Sequence, residues 1–170
     1  LLREAMDHGA LGVSFGLIYT PSCYAKTDEL IELAKVVGEY HGMISAHIRN
    51  EGPTLIQAVE EFLTIVRAAN VRGVLSHHKS SGKINWGKIH TTLRMIDQAN
   101  AEGYDVYCDV YPYIASSTSL SASFVPAHLH ERGVVHVLRD PQTRAEIKEW
   151  NQNRRSGDLS WVQLAACRAF

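Results

Sequence analysis

Apolar residues along the chain alternate between short blocks and helical stripes. Residues 1–8 pattern as the end of a helix that Gly9 stops. Residues 10–19, ALGVSFGLIY, pattern as a strand with two internal glycines, broken by Pro21 and Ser22. Thr27 has the chemistry of an N-cap, and Asp28 and Glu29 follow in a first turn where acids suit the helix dipole. That helix is predicted to run to about Tyr40, with Gly42 ending it, and 43–48 is a short strand of the buried type. Leu55, Val59, Phe62, Val66 and Ala69 step by four and three, the clearest helical stripe, over 54–70. Gly73 precedes a strand at 74–77. Trp86, Ile89, Leu93 and Ile96 predict a helix over 86–102 with Gly103 as its C-cap, and 105–111 is a strand stopped by Pro112.

Strands alternating with long helices predict βαβ units and a parallel sheet. The repeat is regular: Ser14, His47, His77 and Asp109 occupy comparable points of successive strands, 33, 30 and 32 residues apart. A (β/α)8 barrel needs about 250 residues, so four such units make about half of one. The rival, an open doubly wound sheet, lacks its GxGxxG turn after the first strand. The fold expected is therefore α/β, a half (β/α)8 barrel followed by a small helical insertion. Its divisions are 1–120 for the barrel segment, 121–158 for the insertion and 159–170 for a return toward the barrel. Residues 114–123 are small and polar, a loop signal. Pro126 and Pro141 suit first helical positions, and Asp140 suits the cap before Pro141. Residues 151–158 pattern as a polar turn and 159–167 as the next strand.

Composition narrows the function class. Lys plus Arg number 17 against 18 Asp plus Glu, a net charge of −1, which argues against a nucleic-acid footprint or a polybasic membrane surface. The hydrophobic share of 45% with 21% charged residues is that of a globular domain and excludes disorder. No apolar run approaches the roughly 18 residues of a membrane span. Cys23, Cys108 and Cys167 form no CxxC pair, which fits a reducing, cytoplasmic compartment. The chain starts at Leu1 and neither end patterns as a natural terminus, so a piece of a longer protein is expected. Such a piece would expose sheet edges and self-associate.

Nine histidines are the compositional oddity. Side chains two apart on a strand share a face. At the C-terminal ends of three consecutive strands the chain places His47-x-Arg49, His77-x-Lys79 and Asp109-x-Tyr111-x-Tyr113. Active sites of these barrels are built at that end, from several strands. Neighbouring parallel strands lie about 4.8 Å apart, so the two imidazoles can reach one ion, and imidazole suits zinc and neighbouring divalent metals. Two His do not complete a site, and further ligands are expected from outside these residues. Lys79 and Arg49 are either cations for a substrate carboxylate or solvated charges at loop starts. Asp109 either orients a His or Lys or caps a loop. Asn50 and Glu51 pattern as loop residues. His128 and His130, two apart on an expected helix, point to nearly opposite sides and do not pair. His78 faces away from His77 and is structural, as are His8, His41, His90 and His136.

Four strings, GALGVSFGLIYTP, AHIRNEG, LSHHKSSGKINWGK and DVYPYIASST, closely resemble the N-acyl-D-amino-acid deacylases (D-aminoacylases) of the amidohydrolase superfamily. They cover roughly residues 1–125 in the right order and spacing. The resemblance implies zinc-dependent hydrolysis of N-acyl-D-amino acids, with His47 and His77 as zinc ligands. It also implies that Lys79 and Tyr111 help hold the substrate carboxylate and that Tyr19 lines the same pocket. The family's HxH on the first strand, its bridging ligand and its late catalytic Asp have no counterpart here, so the segment alone is expected to be inactive. The rival readings are an amidohydrolase of cyclic amides and a non-catalytic, self-associating half-barrel.

Overall fold

A computed structural model describes residues 1–113 and 116–158, with side chains to residue 153. Four strands, β1 (Gly12–Gly16), β2 (Met43–His47), β3 (Arg72–Leu75) and β4 (Val106–Cys108), form one sheet in the order β1-β2-β3-β4. Every pairing is parallel, with Gly16 opposite His47, Ala46 opposite Leu75, and Leu75 opposite Cys108. After the short helix α1 (Leu2–Asp7), the connections carry α2 (Thr27–Glu39), α3 (Leu55–Ala69) and α4 (Lys88–Ala101). Sequential parallel strands with a helix in each crossover are the pattern of half a (β/α)8 barrel.

The core explains which residues the pattern needed. Ile44, Ala46 and Leu75 from the sheet meet Leu30, Val37, Val59, Phe62 and Val66 from the helices, all almost fully buried. Two glycines allow the close approaches. A Cβ on Gly12 would lie 1.8 Å from the Met43 carbonyl oxygen, and one on Gly73 would lie 2.6 Å from Val66 Cγ2 and 3.0 Å from Phe62 Cζ. Any side chain at Gly12 would collide with the backbone of the paired strand, and any at Gly73 would lift α3 off β3.

Several boundaries differ from the sequence pattern for identifiable reasons. The strands are shorter than expected, although single backbone bonds continue past them, such as Leu17 N–H to His47 O at 2.9 Å and Asp109 N–H to Leu75 O at 3.1 Å. Thr27 is the first residue of α2 rather than its cap, because its hydroxyl donates instead to Glu61 Oε1 at 2.7 Å. Lys83–Asn85 forms a 3-10 turn and α4 starts only at Lys88, so Trp86 lies outside the helix and is 59% exposed. The inner face of α4 is Thr92, Ile96 and Ala99, not Leu93. Gly103 does follow the C-cap of α4, at φ +96°.

Beyond Tyr113 come α5 (Leu120–Phe124), α6 (Ala127–His130), α7 (Val134–Arg139) and α8 (Pro141–Asp158). Pro126 is the residue before α6, while Pro141 opens α8 and Asp140 Oδ2 accepts from Thr143 N–H at 3.0 Å, as a cap should. The expected turn over 151–158 is helical instead. Asn151 reaches from it to the Phe124 carbonyl at 2.8 Å and to its own helix at Ile147 O, so a polar residue anchors the helix rather than breaking it. The expected strand over 159–167, Cys167 and the return over 159–170 lie outside the described residues. Val125, Leu129, Val137 and Ile147 form a second apolar cluster. Tyr24 O–H donates to Ala127 O at 2.7 Å, and Thr20 Oγ1 lies 2.8 Å from His130 Nδ1, which ties this unit to the segment after β1. Among the described residues no helix is long and apolar enough to cross a membrane.

Candidate active site

The two imidazoles converge. His47 ends β2, opposite Gly16, where no side chain crowds it from β1. His77 lies two residues past β3, not on it, and adopts φ +40°. Such a left-handed backbone is uncommon for a residue with a side chain and needs external support. Asp109 provides it: Oδ1 accepts the His77 N–H at 2.5 Å, and the Asp109 carbonyl accepts the His78 N–H at 2.8 Å. The turn so capped brings His77 Nε2 against His47 Nδ1, with ring centroids 4.4 Å apart.

Lys79 does not extend along a strand face beside His77. The turn folds it back, and Nζ lies 2.7 Å from Glu51 Oε1, 2.9 Å from His77 Nδ1 and 3.1 Å from the His77 carbonyl. Glu51 Oε1 is also 3.1 Å from His77 Nδ1. Lys79 Nζ stands 5.6 Å from the Tyr111 ring, within cation–π range. Tyr19 meets His47 edge-on at 5.7 Å between centroids, and its hydroxyl is 3.3 Å from Thr118 Oγ1. Tyr19, Glu51, His77, Lys79, Tyr111 and Thr118 line a cleft of about 640 Å³, together with Ile18, Ser81 and Phe124. The lining thus combines the His77 imidazole and the Lys79–Glu51 ion pair with phenols and hydroxyls.

Arg49 is directed elsewhere. Its guanidinium pairs with Glu61 at 2.9 Å and donates to the Cys23 and Ala25 carbonyls at 2.7 and 2.9 Å. It thus pins the segment after β1 to α3 instead of reaching either imidazole. Burial disfavours the Glu61 carboxylate, but hydrogen bonds from Arg49 and Thr27, with the Arg49 charge, outweigh it and hold Glu61 below the usual carboxylate range. Glu51, expected as a loop residue, stands inside the site, paired with Lys79. Asn50 is a loop residue, accepting from Gly52 and Thr54 N–H. His128 and His130 part as expected: His128 Nε2 lies 2.9 Å from Glu146, and His130 turns to Thr20. His78 is buried against Thr92 Oγ1 at 2.9 Å, and burial pushes its pKa down.

Burial, and after it the proximity of His77, lowers the His47 pKa, which keeps its ring neutral with a lone pair to donate. Two ring nitrogens pointed at each other fit a shared divalent ion as two of its ligands. Among the described residues no group of three His, Cys, Asp or Glu side chains is arranged to hold a metal ion.

Comparison with known proteins follows the same line. The chain is 45% identical over 120 residues to the N-acyl-D-glutamate deacylase of Alcaligenes xylosoxydans xylosoxydans, covering 71% of this chain and 25% of the relative. The crystal structure of N-acyl-D-glutamate deacylase from Bordetella bronchiseptica, complexed with zinc and a phosphonate mimic of the tetrahedral intermediate, superposes with a TM-score of 0.65. Identity there is 43%, over 66% of this chain and 24% of that one. A D-aminoacylase whose crystal structure defines a novel subset of amidohydrolases superposes with a TM-score of 0.64 at 40% identity, over 67% of this chain and 24% of its own. No family model matches the chain. It spans about a quarter of the length of the relatives it matches. With its strand order and the matching segment in agreement, the chain belongs to the N-acyl-D-amino-acid deacylase family of amidohydrolases.

Proposed function

We propose that the full-length protein carrying this chain hydrolyses the amide bond of N-acyl-D-amino acids, releasing a carboxylate and a free D-amino acid. The observation that carries this reading is the convergence of His47 on His77 beside Lys79, with His77 and Lys79 lining one cleft. His47 and His77 would hold zinc, or another divalent ion, as two of its ligands. Such an ion, when bound, polarises a carbonyl and lowers the pKa of water. The chain's own residues do the rest of what this segment contributes. Lys79 holds the substrate's α-carboxylate, Tyr111 and Tyr19 enclose it from either side, and the acyl amide is thereby turned toward the imidazoles. Asp109 keeps His77 in its turn. Arg49 acts at one remove, by fixing the segment that carries Tyr19.

Three further proposals accompany this reading. The division into a barrel segment, 1–120, and a helical insertion, 121–158, is supported by the two separate apolar clusters, while the return over 159–170 lies outside the described residues. Location in the cytoplasm is supported by Cys23 and Cys108, both free thiols. Self-association of the isolated segment is supported by exposed Leu11, Ile84, Trp86 and Val110.

Lys79→Ala in the full-length enzyme is expected to raise KM for N-acyl-D-amino acids by about ten- to a hundredfold, the equivalent of one charge-assisted bond of roughly 1.5–3 kcal/mol. Steady-state kinetics check it. An unchanged KM would mean that another cation holds the carboxylate.

A further inference from the structure

Lys79 Nζ has three polar partners, and the way in which they are shared has a chemical consequence. An ammonium has three N–H donors and no acceptor. Lys79 has three partners within 3.1 Å: Glu51 Oε1, His77 Nδ1 and the His77 carbonyl. With Lys79 donating to Nδ1, that nitrogen carries the lone pair and the ring proton sits on Nε2. A proton on Nε2 points at His47 Nδ1, the position where a shared ion would need a lone pair. The other tautomer needs an acceptor for Nδ1–H. Glu51 Oε1 lies 3.1 Å from Nδ1, a contact rather than a hydrogen bond while Lys79 holds Nδ1, and it is placed to accept that proton once Lys79 gives Nδ1 up; its side chain is only 14% exposed.

We propose that Glu51 is a positioning residue that selects the His77 tautomer able to bind metal and, by the same step, releases one Lys79 donor to the cleft. This rests on the proposed roles of His77 and Lys79. When Glu51 accepts Nδ1–H, the Nε2 lone pair faces His47. Two donors cannot share the gap between Nδ1 and Nζ, so Lys79 keeps Glu51 and the His77 carbonyl and turns its third N–H outward. Metal ligation and carboxylate capture are then coupled through one carboxylate. A carboxylate behind a ligating imidazole fixes its tautomer and raises its basicity, and its loss typically lowers metal affinity by about 10- to 100-fold.

The test uses the full-length protein, with zinc affinity read by competition against a chromophoric chelator and kinetics on an N-acyl-D-amino acid. Glu51→Ala is expected to weaken zinc binding by about 10- to 100-fold and to lower kcat as well as raise KM. Glu51→Gln keeps an oxygen that can accept Nδ1–H, so it should recover most of the zinc affinity and, with a Lys79 donor again free, most of the parent KM. Lys79→Met should raise KM and leave zinc affinity unchanged. Where Glu51→Ala does not fold, Glu51→Met fills the same space without an acceptor and carries the same expectation. Zinc affinity at the parent level in Glu51→Ala or Glu51→Met, with His77→Ala losing zinc, overturns the Glu51 proposal alone. Parent affinity in His77→Ala as well overturns the metal reading and the Glu51 proposal together.

Discussion

Replacing His77 with Ala in the full-length enzyme is expected to cut kcat by about a thousandfold or more and to lose zinc on dialysis. His77 stands at the one point where three constraints meet. Its backbone is held at φ +40° by Asp109, its Nε2 faces His47, and its Nδ1 faces Glu51. Alanine can still occupy the turn, because the bond to Asp109 uses the backbone N–H. The fold therefore survives and the proposed ligand is lost. A metal's electrostatic stabilisation of a transition state is worth several kcal/mol, and about 4 kcal/mol corresponds to about a thousandfold in rate. Metal analysis and stopped assays on the purified variant check both halves. Wild-type kcat in His77→Ala would remove the imidazole pair from the chemistry. The contrast with Lys79→Ala, which acts on KM, separates ligand from substrate anchor.

Phe62→Ala is expected to destabilise the fold by about 3–5 kcal/mol, the range for emptying a buried aromatic site. Phe62 is fully buried in the middle of α3, and its ring lies against the backbone at Gly73. Nothing small can take its place. Gly73 carries no side chain that could fill the space, and Val66 already packs on it from the next turn. The cavity would open under β3 at Gly73. The midpoint of urea unfolding checks the size of the effect, which should far exceed that of an exposed position such as Leu93. An unchanged midpoint would mean that α3 is not the helix that seats the sheet.

Much of this architecture was legible in the residue pattern, for physical reasons. The stripe Leu55, Val59, Phe62, Val66 became the buried face of α3, because a period of four and three places those side chains on one side. His47 and His77 were legible as neighbours from their spacing in successive βα units, but the register sets Ala46 opposite Leu75, one residue out of step, and the left-handed turn past β3 is what brings His77 to His47. What escaped the pattern depended on turns. The fold-back of Lys79 follows from the left-handed backbone at His77, which nothing in His-His-Lys announces. Glu51 lies in a loop whose path is set by packing, so its approach to His77 has no local signature. Arg49 shared the alternation of His47 but found a carboxylate on α3, a contact between elements that spacing cannot reveal. Asn151 and its polar neighbours patterned as a turn, yet a bond to the Phe124 carbonyl makes the polar residue part of a helix contact.

Hydrolysis of matched enantiomers by the zinc-loaded full-length protein tests the functional reading most directly. One assay would offer N-acyl-D-amino acids, their L counterparts and a cyclic amide that lacks a free α-carboxylate, each followed by release of amine. A substrate that must present a carbonyl to the imidazole pair, a carboxylate to Lys79 and a side chain to the cleft is fixed at three points around one α-carbon, so only one hand fits. The account predicts turnover of the D compounds, little or none of the L compounds, and none of the cyclic amide. Equal hydrolysis of both hands, or a preference for the ring, would contradict it.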